Sequence, residues 1–528
     1  MGTPLDDFLR HFAELSDAAH AARQAEHTGP QLGDALDKHL GADASALPVV
    51  TEEHPAHRLA DVARALGVLC GGGGRLIGVG GPERHHLALQ DMLVQRRGFQ
   101  LPLAEPEYRS VAIGPDEQER VVSFGVHLFH RGAVPLAVLL RAANPQFGRG
   151  ATSLEVIGPD AGAVDGFIGE VRGHLRRHSI YQGHVVSFTA NEFEATTGGV
   201  TFHRRPELEA SDVVLPAGVL ERIERHVVDL GAHRGALLAA GQHLKRGVLL
   251  YGPPGTGKTH TVRYLLGRAR GTTAVLLSGG SLALVSEAAR LARALQPAVV
   301  VLEDCDLVAG DRGHLPGAQP LLFEVLEAMD GLDPDADVAF VLTTNRVDLL
   351  ERALAQRPGR VDLAVEIPRP EREQRRALLA LYADGLDLDD AVLDAAAGRT
   401  EGTTASFAKE LVRRAVLAAA LAGTQVEGRH LAGAVEELMA DGAALTRSLL
   451  GGDGSGVPPG TAPDAGPGGD EGVDFGFVAG PAQGSFGWFA QAPGTGQVFG
   501  PGAHASSLDV GWDEPDARDA AAGPVDGD

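Results

Sequence analysis

Cysteine is nearly absent from this sequence, which contains only Cys70 and Cys305 among its 528 residues. Two cysteines are too few for a disulfide framework, which favours a reducing compartment. No uninterrupted apolar run approaches the ~18–20 residues that a membrane-spanning helix requires. The first residues also lack the basic start and the apolar stretch of a signal peptide. We therefore expect a cytoplasmic protein that does not span a membrane.

Basic residues are also in short supply, since 46 lysines and arginines stand against 70 acidic residues and the formal net charge is −24. Broad electrostatic binding to DNA or RNA needs a dominant basic face, so nucleic acid is an unexpected partner. Aromatic residues make up 5% of the chain, so aliphatic residues and alanine must form the core. The length allows two or three domains, each with its own core.

The first 200 residues mix strand-like and helix-like segments, which predicts an α+β domain of unknown type over residues 1–200. Apolar residues at helical spacing occupy 161–178. Segments with strand composition are found at 120–129, 151–158 and 184–188.

A glycine-rich segment, CGGGGRLIGVGG, begins at Cys70. It resembles a phosphate loop only superficially, because no Gly-Lys-Ser/Thr follows, and we interpret it as a flexible turn. The adjacent His85 and His86 have no partner at ligand spacing and are interpreted as surface residues rather than a metal site.

The middle of the chain, residues 205–368, alternates apolar strands with segments of helix length. This alternation predicts a parallel sheet with helices on both faces, an α/β fold. Residues 369–447 have helical patterns punctuated by Gly and Asp, which predicts a small helical lid. The predicted strands of the sheet are 246–251, 273–278, 298–303 and 338–344.

The last stretch, 451–528, differs in composition from the rest of the chain. It contains 20 glycines and 12 acidic residues against a single base, Arg518. Such a composition cannot bury enough apolar surface to order itself, so we predict a disordered acidic tail.

A phosphate-binding loop follows the strand at 246–251, where GPPGTGKT (252–259) leads into a helix-like segment. Gly-x4-Gly-Lys-Thr between a strand and a helix is a strong signal. Backbone N–H groups of the glycines wrap the phosphates, Lys258 places a cation on the β- and γ-phosphates, and the Thr259 hydroxyl ligates Mg²⁺. The predicted nucleotide-binding residues are Gly252, Pro253, Pro254, Gly255, Thr256, Gly257, Lys258, Thr259 and His260.

Two acids end a later apolar strand, in the run Val299-Val-Val-Leu-Glu303-Asp304. Carboxylates at a strand end are costly to bury unless a cation or a proton partner is present. A phosphate loop requires one carboxylate that reaches the Mg²⁺ shell and a second that orients the attacking water. Glu303 and Asp304 supply both.

Four motifs resemble those of the AAA+ ATPases, in particular their AAA subgroup, and the resemblance covers roughly 205–447. In chain order the motifs are GPPGTGKT, VVVLEDCD, LTTN and RALAQRPGRVD. The resemblance implies ATP and Mg²⁺ as cofactors. It also implies a ring, usually hexameric, that couples ATP hydrolysis to the remodelling of a macromolecule. By position, Asn345 resembles the sensor residue that contacts the γ-phosphate or the attacking water. Arg357 and Arg360 resemble arginine fingers that reach a neighbouring subunit's ATP, with ordinary surface charge as the alternative.

The acid pair reverses the family's usual Asp-Glu order. Aligned by the apolar run and by Asp306, Glu303 takes the metal-side position and Asp304 the water-side position. Asp is one methylene shorter than Glu, and a ~1 Å misplacement can cost on the order of 100-fold in rate. Either the backbone lies closer or turnover is slow. The same order occurs in the subgroup that resembles the mitochondrial chaperone of the Rieske protein.

Two further departures concern substrate handling and the lid. Members that thread polypeptides place an aromatic loop after the second strand, whereas residues 276–297 contain no aromatic residue. The lid sequence EGTTASFAKEL keeps Gly402 but not the common Gly-Ala-Asp, so no lid sensor is assigned.

Together these features predict an ATP-hydrolysing AAA-type protein that forms a homo-oligomeric ring and remodels an unidentified protein substrate or adaptor. One alternative is a nucleotide-switched scaffold with very slow hydrolysis. A nucleic-acid-linked motor is disfavoured by the net charge. The catalytic candidates are Asp304, Asn345, Arg357 and Arg360, and the metal candidates are Thr259 and Glu303.

Overall fold

Two seven-stranded sheets organise the computed structural model of the chain. It describes residues 30–94, 101–191, 194–306, 335–347, 361–440 and 444–451, with a few scattered positions besides. The predicted α/β architecture is confirmed. The acidic tail, apart from Gly451, lies outside the described residues, as do Arg357 and Arg360. Within the described part of the chain, no helix is long and apolar enough to cross a membrane.

The first sheet is antiparallel in every strand pair of the described residues and has the order β1-β7-β6-β5-β2-β3, with β4 also on β5. Its central strands are long and apolar because helices cover both faces. Its strands are β1 Val49–Pro55, β2 Arg75–Val79, β3 Leu103–Ala104, β4 Glu107–Ala112, β5 Gln118–Arg131, β6 Val134–Arg141 and β7 Ala151–Ile157. The helices are α1 Leu32–Leu40, α2 Leu59–Cys70, α3 Leu89–Val94 and α4 Ala161–Arg177.

Strand β6 shows why the central strands of this sheet have apolar residues at consecutive positions. Leu136, Val138 and Leu140 face the core formed with α2 and α4. The alternate residues Ala137 and Leu139 face the core formed with α1 and α3. Successive side chains of a strand point to opposite faces, so a sheet covered on both sides needs apolar residues at every position.

The second sheet has the order β14-β10-β13-β12-β11-β8-β9 and is parallel except for the β8–β9 pair. Its strands are β8 Val185–Asn191, β9 Glu194–His203, β10 Arg246–Tyr251, β11 Thr273–Ser278, β12 Ala298–Glu303, β13 Val338–Thr344 and β14 Leu363–Glu366. The helices before and within it are α5 Val219–Glu224, α6 Leu230–Ala232, α7 Arg234–Ala239, α8 Lys258–Arg268 and α9 Val285–Ala294, with a π-helical turn at Arg225–Asp229. The four strands predicted from sequence match to the residue.

The boundary expected between residues 200 and 205 does not coincide with a division between the sheets. Strands β8 and β9 precede it, yet β8 pairs in parallel with β11 of the second sheet. One buried cluster also runs from α2 and α4 through Tyr181, Phe188 and Phe202 to Val275 and Val300. The sequence shows a strand at 184–188 but not its partner, because pairing is a long-range property.

The helical lid expected over 369–447 is present and has a core of its own. Thr404 begins the longest lid helix, where its hydroxyl accepts a hydrogen bond from the Phe407 amide at 3.3 Å. Such a cap satisfies a backbone donor that the helix itself leaves without a partner. The lid helices are α10 Arg372–Tyr382, α11 Asp390–Arg399, α12 Ala405–Ala422, α13 Gly428–Met439 and α14 Ala444–Leu449.

The structure agrees with the interpretation of the glycine-rich segment after Cys70 but differs from that of His85. The glycines after Cys70 form the turn between α2 and β2, as expected. No cluster of three or more metal-binding side chains is found among the described residues. His85 is half-buried rather than on the surface, since its ring stacks on Phe147 at a centroid distance of 5.1 Å.

Candidate nucleotide site

The phosphate loop lies between β10 and α8 and depends on glycine at two close points. Gly252 has φ of 147°, and a Cβ there would lie 2.2 Å from the carbonyl oxygen of Ile367. Gly257, the residue before α8, has φ of 107°. Side chains are disfavoured at both positions. Because these glycines have no side chains, the loop backbone is accessible at the start of α8. The N–H groups at the start of a helix favour the binding of an anion.

Lys258 is buried, and its ammonium group donates to the carbonyl oxygens of Gly252 and Pro253, both at 2.8 Å. Burial lowers the pKa of Lys258, while the carboxylates of Asp304 and Asp306 act in the opposite direction. The cation is thus held inside the loop with two acids nearby. The Thr256 hydroxyl donates to the Pro253 carbonyl at 2.9 Å and braces the same turn.

Glu303 and Thr259, the two predicted metal ligands, are brought together. The Thr259 side chain lies beside the Glu303 carboxylate. Burial raises the pKa of Glu303 and the Thr259 side chain opposes that shift, while the charge of Asp304 raises the pKa and that of Arg263 lowers it. Among the described residues, the buried Oε1 atom of Glu303 has no hydrogen-bond partner. A hard cation prefers oxygen ligands, so this carboxylate and hydroxyl fit Mg²⁺.

Asp304 and Asn345, at the ends of neighbouring strands β12 and β13, also come together. The Asn345 side-chain amide donates to Asp304 Oδ1 at a long 3.4 Å. Asp306 accepts hydrogen bonds at 3.0 Å from both the Thr344 hydroxyl and the Asn345 backbone amide. Carboxyl ends of parallel strands meet at one edge of a sheet, which explains how Asp304 and Asn345, 41 positions apart, converge.

A cavity of about 440 Å³ lies at this site, and Glu303 is not among the residues that line it. Lys258 and Thr259 line it together with Asp304 and Asn345. His260 lines it as well, and its Nε2 lies 3.0 Å from the backbone oxygen of Asp212. The volume and the polar lining suit a nucleotide.

Two cavity-lining residues escaped the sequence analysis, Arg263 and Ser406. Arg263 lies one helical turn after Thr259, so its position on the same face of α8 could have been read from the i,i+4 spacing. Ser406 comes from the lid, and its backbone amide donates to the Gly255 carbonyl at 3.1 Å. No local signal in the sequence indicates that long-range contact.

The last described residues also approach the phosphate loop. The Thr404 hydroxyl donates to the carbonyl of Leu450. A Cβ on Gly451, which has φ of 81°, would lie 2.2 Å from the carbonyl oxygen of Pro254. The segment after α14 therefore packs against both the lid and the phosphate loop.

Comparison with known proteins agrees with this geometry. The sequence profile of the ATPase family associated with various cellular activities (AAA) matches residues 248–369. An ATP-dependent zinc metalloprotease FtsH 2 from Sphaerobacter thermophilus is 38% identical over 192 residues, 34% of this chain and 29% of that protein. A proteasome-activating nucleotidase from Methanoregula boonei is 33% identical over 235 residues, 41% of this chain and 53% of that protein.

A third relative is a 26S proteasome regulatory subunit 6B homolog from Encephalitozoon cuniculi, 30% identical over 236 residues, 41% of this chain and 59% of that protein. The chain thus spans less than two thirds of the length of each of these relatives. The profile match covers the phosphate loop, the acid pair and the asparagine, and Lys258, Asp304 and Asn345 of this set line one cavity. The chain thus contains a domain, over residues 248–369, that matches the AAA family of ATPases.

Proposed function

We propose that this chain binds Mg²⁺ and ATP at the cavity and hydrolyses the nucleotide. The observation that carries the proposal is the convergence of Lys258, Thr259 and the Asp304–Asn345 pair on one cavity, with Glu303 beside Thr259. Each group suits a different part of phosphoryl transfer to water, where catalysis consists mainly of positioning and charge stabilisation.

The roles follow from the contacts. Lys258 and the loop amides bind the phosphates, while Thr259 and Glu303 would hold the Mg²⁺. The metal, when bound, neutralises charge on the β- and γ-phosphate oxygens. Asp304 accepts a proton from the attacking water, and Asn345 fixes the direction of the Asp304 carboxylate through their hydrogen bond.

A steady-state ATPase assay tests the proposal. We expect turnover by the wild-type protein, and loss of both ATP binding and turnover in Lys258→Ala, because the buried cation at the phosphates is removed. Lys409→Ala is the matched control, since Lys409 is an exposed lysine of the lid. ATP binding without turnover would favour a nucleotide-switched scaffold, and the absence of binding would refute the proposal.

A ring that remodels a protein is the further part of the proposal. The matched relatives are by name a metalloprotease, a proteasome-activating nucleotidase and a proteasome subunit, all connected with work on proteins. Arg357 and Arg360 would then act on the ATP of the neighbouring subunit, where such an arginine is worth about 10³–10⁵ in rate.

A mixing experiment tests the ring and the arginines together. Rings combining Arg360→Ala with Lys258→Ala subunits should regain part of the turnover, at interfaces where an intact Lys258 site meets an intact Arg360. Each variant alone is the control, and native mass measurement with ATP verifies mixed rings. No regained activity in verified mixed rings would argue against action between subunits.

We also propose that residues 1–200 select the protein partner, since they hold no phosphate loop. Affinity capture with a hydrolysis-deficient variant of the full chain should recover a protein partner. Surface substitutions on the first sheet should abolish this capture without changing the affinity for ATP. Unchanged capture after such substitutions would place the partner site elsewhere.

A further inference from the structure

The backbone at Asp304 has an unusual conformation. Its φ is 52°, and among the described residues it is the one non-glycine residue with positive φ. Side chains other than those of Asn and Asp are disfavoured in this left-handed region. Strained residues of this kind occur at functional sites and persist where surrounding contacts hold them.

Thr343 supplies the contacts that hold this turn. Its hydroxyl accepts a hydrogen bond from the Asp304 amide at 3.0 Å. Its carbonyl accepts one from the next amide, that of Cys305, also at 3.0 Å. Thr343 is fully buried on β13. Thr343 thus accepts hydrogen bonds from two successive backbone amides. The first bond needs its hydroxyl group, which valine lacks.

The turn determines where the carboxylate lies. Asp304 accepts from the Asn345 side chain, two residues after Thr343 on the same strand end. Asp306 fixes the Asn345 backbone from the other direction. The separation of Asp304 and Asn345 is therefore set by two links between β12 and β13, one at Thr343 and one at Asp306.

We propose that Thr343 is a positioning residue for hydrolysis, holding Asp304 in the left-handed turn that presents its short carboxylate beside Asn345. The inference rests on the proposed ATPase function. It answers the difficulty raised by an aspartate at the water-side position, because the backbone conformation, rather than side-chain length, sets the position of the carboxylate. A displacement of ~1 Å at such a group costs on the order of 100-fold in rate.

Three variants at matched sites test the role in turnover. Thr343→Val removes the hydroxyl at nearly constant volume and should lower kcat by about 10- to 100-fold with little change in the KM for ATP. Thr343→Ser keeps the hydroxyl and should retain most of the wild-type kcat. Thr273→Val is the control, because Thr273 is equally buried but lies at the opposite end of β11, where its hydroxyl donates to the Leu295 carbonyl.

A second readout does not depend on turnover. Amide hydrogen exchange of the peptide covering 302–306, measured without nucleotide, should be faster in Thr343→Val than in the wild type, Thr343→Ser and Thr273→Val. If the wild type binds ATP but does not turn it over, the proposed function fails while this measurement still tests the Thr343 link. Unchanged exchange in Thr343→Val would overturn the link itself.

Exchanging the acid gives the remaining test. Asp304→Glu should reduce kcat in the wild-type background, because glutamate is disfavoured at this φ and its longer carboxylate is displaced. It should be less harmful when combined with Thr343→Val, where the turn is released. Three results would each overturn the positioning role. They are a wild-type kcat in Thr343→Val, a reduced kcat in Thr343→Ser, and additive effects on kcat in the double variant.

Discussion

Glu155 of the first sheet and Glu303 of the second are both acids at apolar strands, and their surroundings differ. Glu155 is buried, and its two oxygens accept from Arg141, at 2.7 Å, and from the Leu89 amide. Glu303 has one buried oxygen with no partner among the described residues. A buried acid satisfied from within stabilises the fold, whereas one with an unsatisfied oxygen beside the cavity-lining Thr259 is a candidate ligand-binding group.

The largest effect should come from the acid pair at the cavity. Asp304→Asn removes the proposed proton acceptor in a nearly isosteric change, so turnover should fall by about 10²–10⁴-fold with Mg²⁺-dependent ATP binding retained. Glu303→Gln should weaken the Mg²⁺ dependence of binding as well as turnover. ATP affinity measured against Mg²⁺ concentration distinguishes them, and the reverse pattern would exchange the two assigned roles.

The corresponding change in the first sheet should act on stability alone. Glu155→Gln breaks a buried ion pair and should lower the free energy of unfolding by about 3–5 kcal/mol, without changing kcat per folded molecule. Glu170→Gln is the control, because the Glu170–Arg131 pair is exposed and such pairs contribute about 0–1 kcal/mol. A loss of kcat in folded Glu155→Gln protein would break the distinction between the two regions.

Acid should weaken the first region through two histidines. Burial lowers the pKa of His57 to about 3 and that of His127 to about 4. The unfolded chain binds these protons near pH 6.5, so stability is complete above that pH and falls below it, by up to about 1.4 kcal/mol per pH unit per histidine. Urea unfolding at pH 7.5 and 5.5 should show the loss, and His57→Gln or His127→Gln should reduce it. An equal pH dependence in both variants would exclude these groups as its source.

The smallest effect should come from Cys305, which stands in sequence between the acids but packs against the core. Burial, together with the neighbouring carboxylates, raises the pKa of its thiol to about 12. Alkylation at pH 8 should therefore be slow in the folded protein. Cys305→Ala should cost about 1 kcal/mol of stability and leave kcat near the wild-type value. Rapid labelling would show that the thiol faces the cavity instead.

Sequence predicted the second sheet better than the first for a physical reason. Strands 246–251 and 298–303 are short apolar runs between turn signals, and the phosphate-loop motif fixes its own strand and helix. The partner of β8 could not be predicted, because parallel pairing with β11 joins residues about 90 positions apart. Strand β9 carries Gly198 and Gly199, which weaken its strand pattern.

The candidate site was predictable as a set of residues but not as a geometry. Motif spacing identified Lys258, Glu303 and Asp304, since each belongs to a run with a known structural setting. The left-handed turn at Asp304 and its link to Thr343 depend on the meeting of two strand ends, and Ser406 depends on the lid. Such contacts are set by tertiary packing, which a one-dimensional pattern does not contain.

The pairing of β8 with β11 bears on aggregation. A fragment that begins at residue 205 would lack β8 and β9 and would leave β11 as an edge strand. The β11 sequence TAVLLS is mostly apolar, and Val275 and Leu277 are fully buried in the complete chain. An exposed apolar edge is a template for pairing with other chains. The hairpin before the motif-bearing region therefore covers a strand edge of the kind that templates pairing between chains.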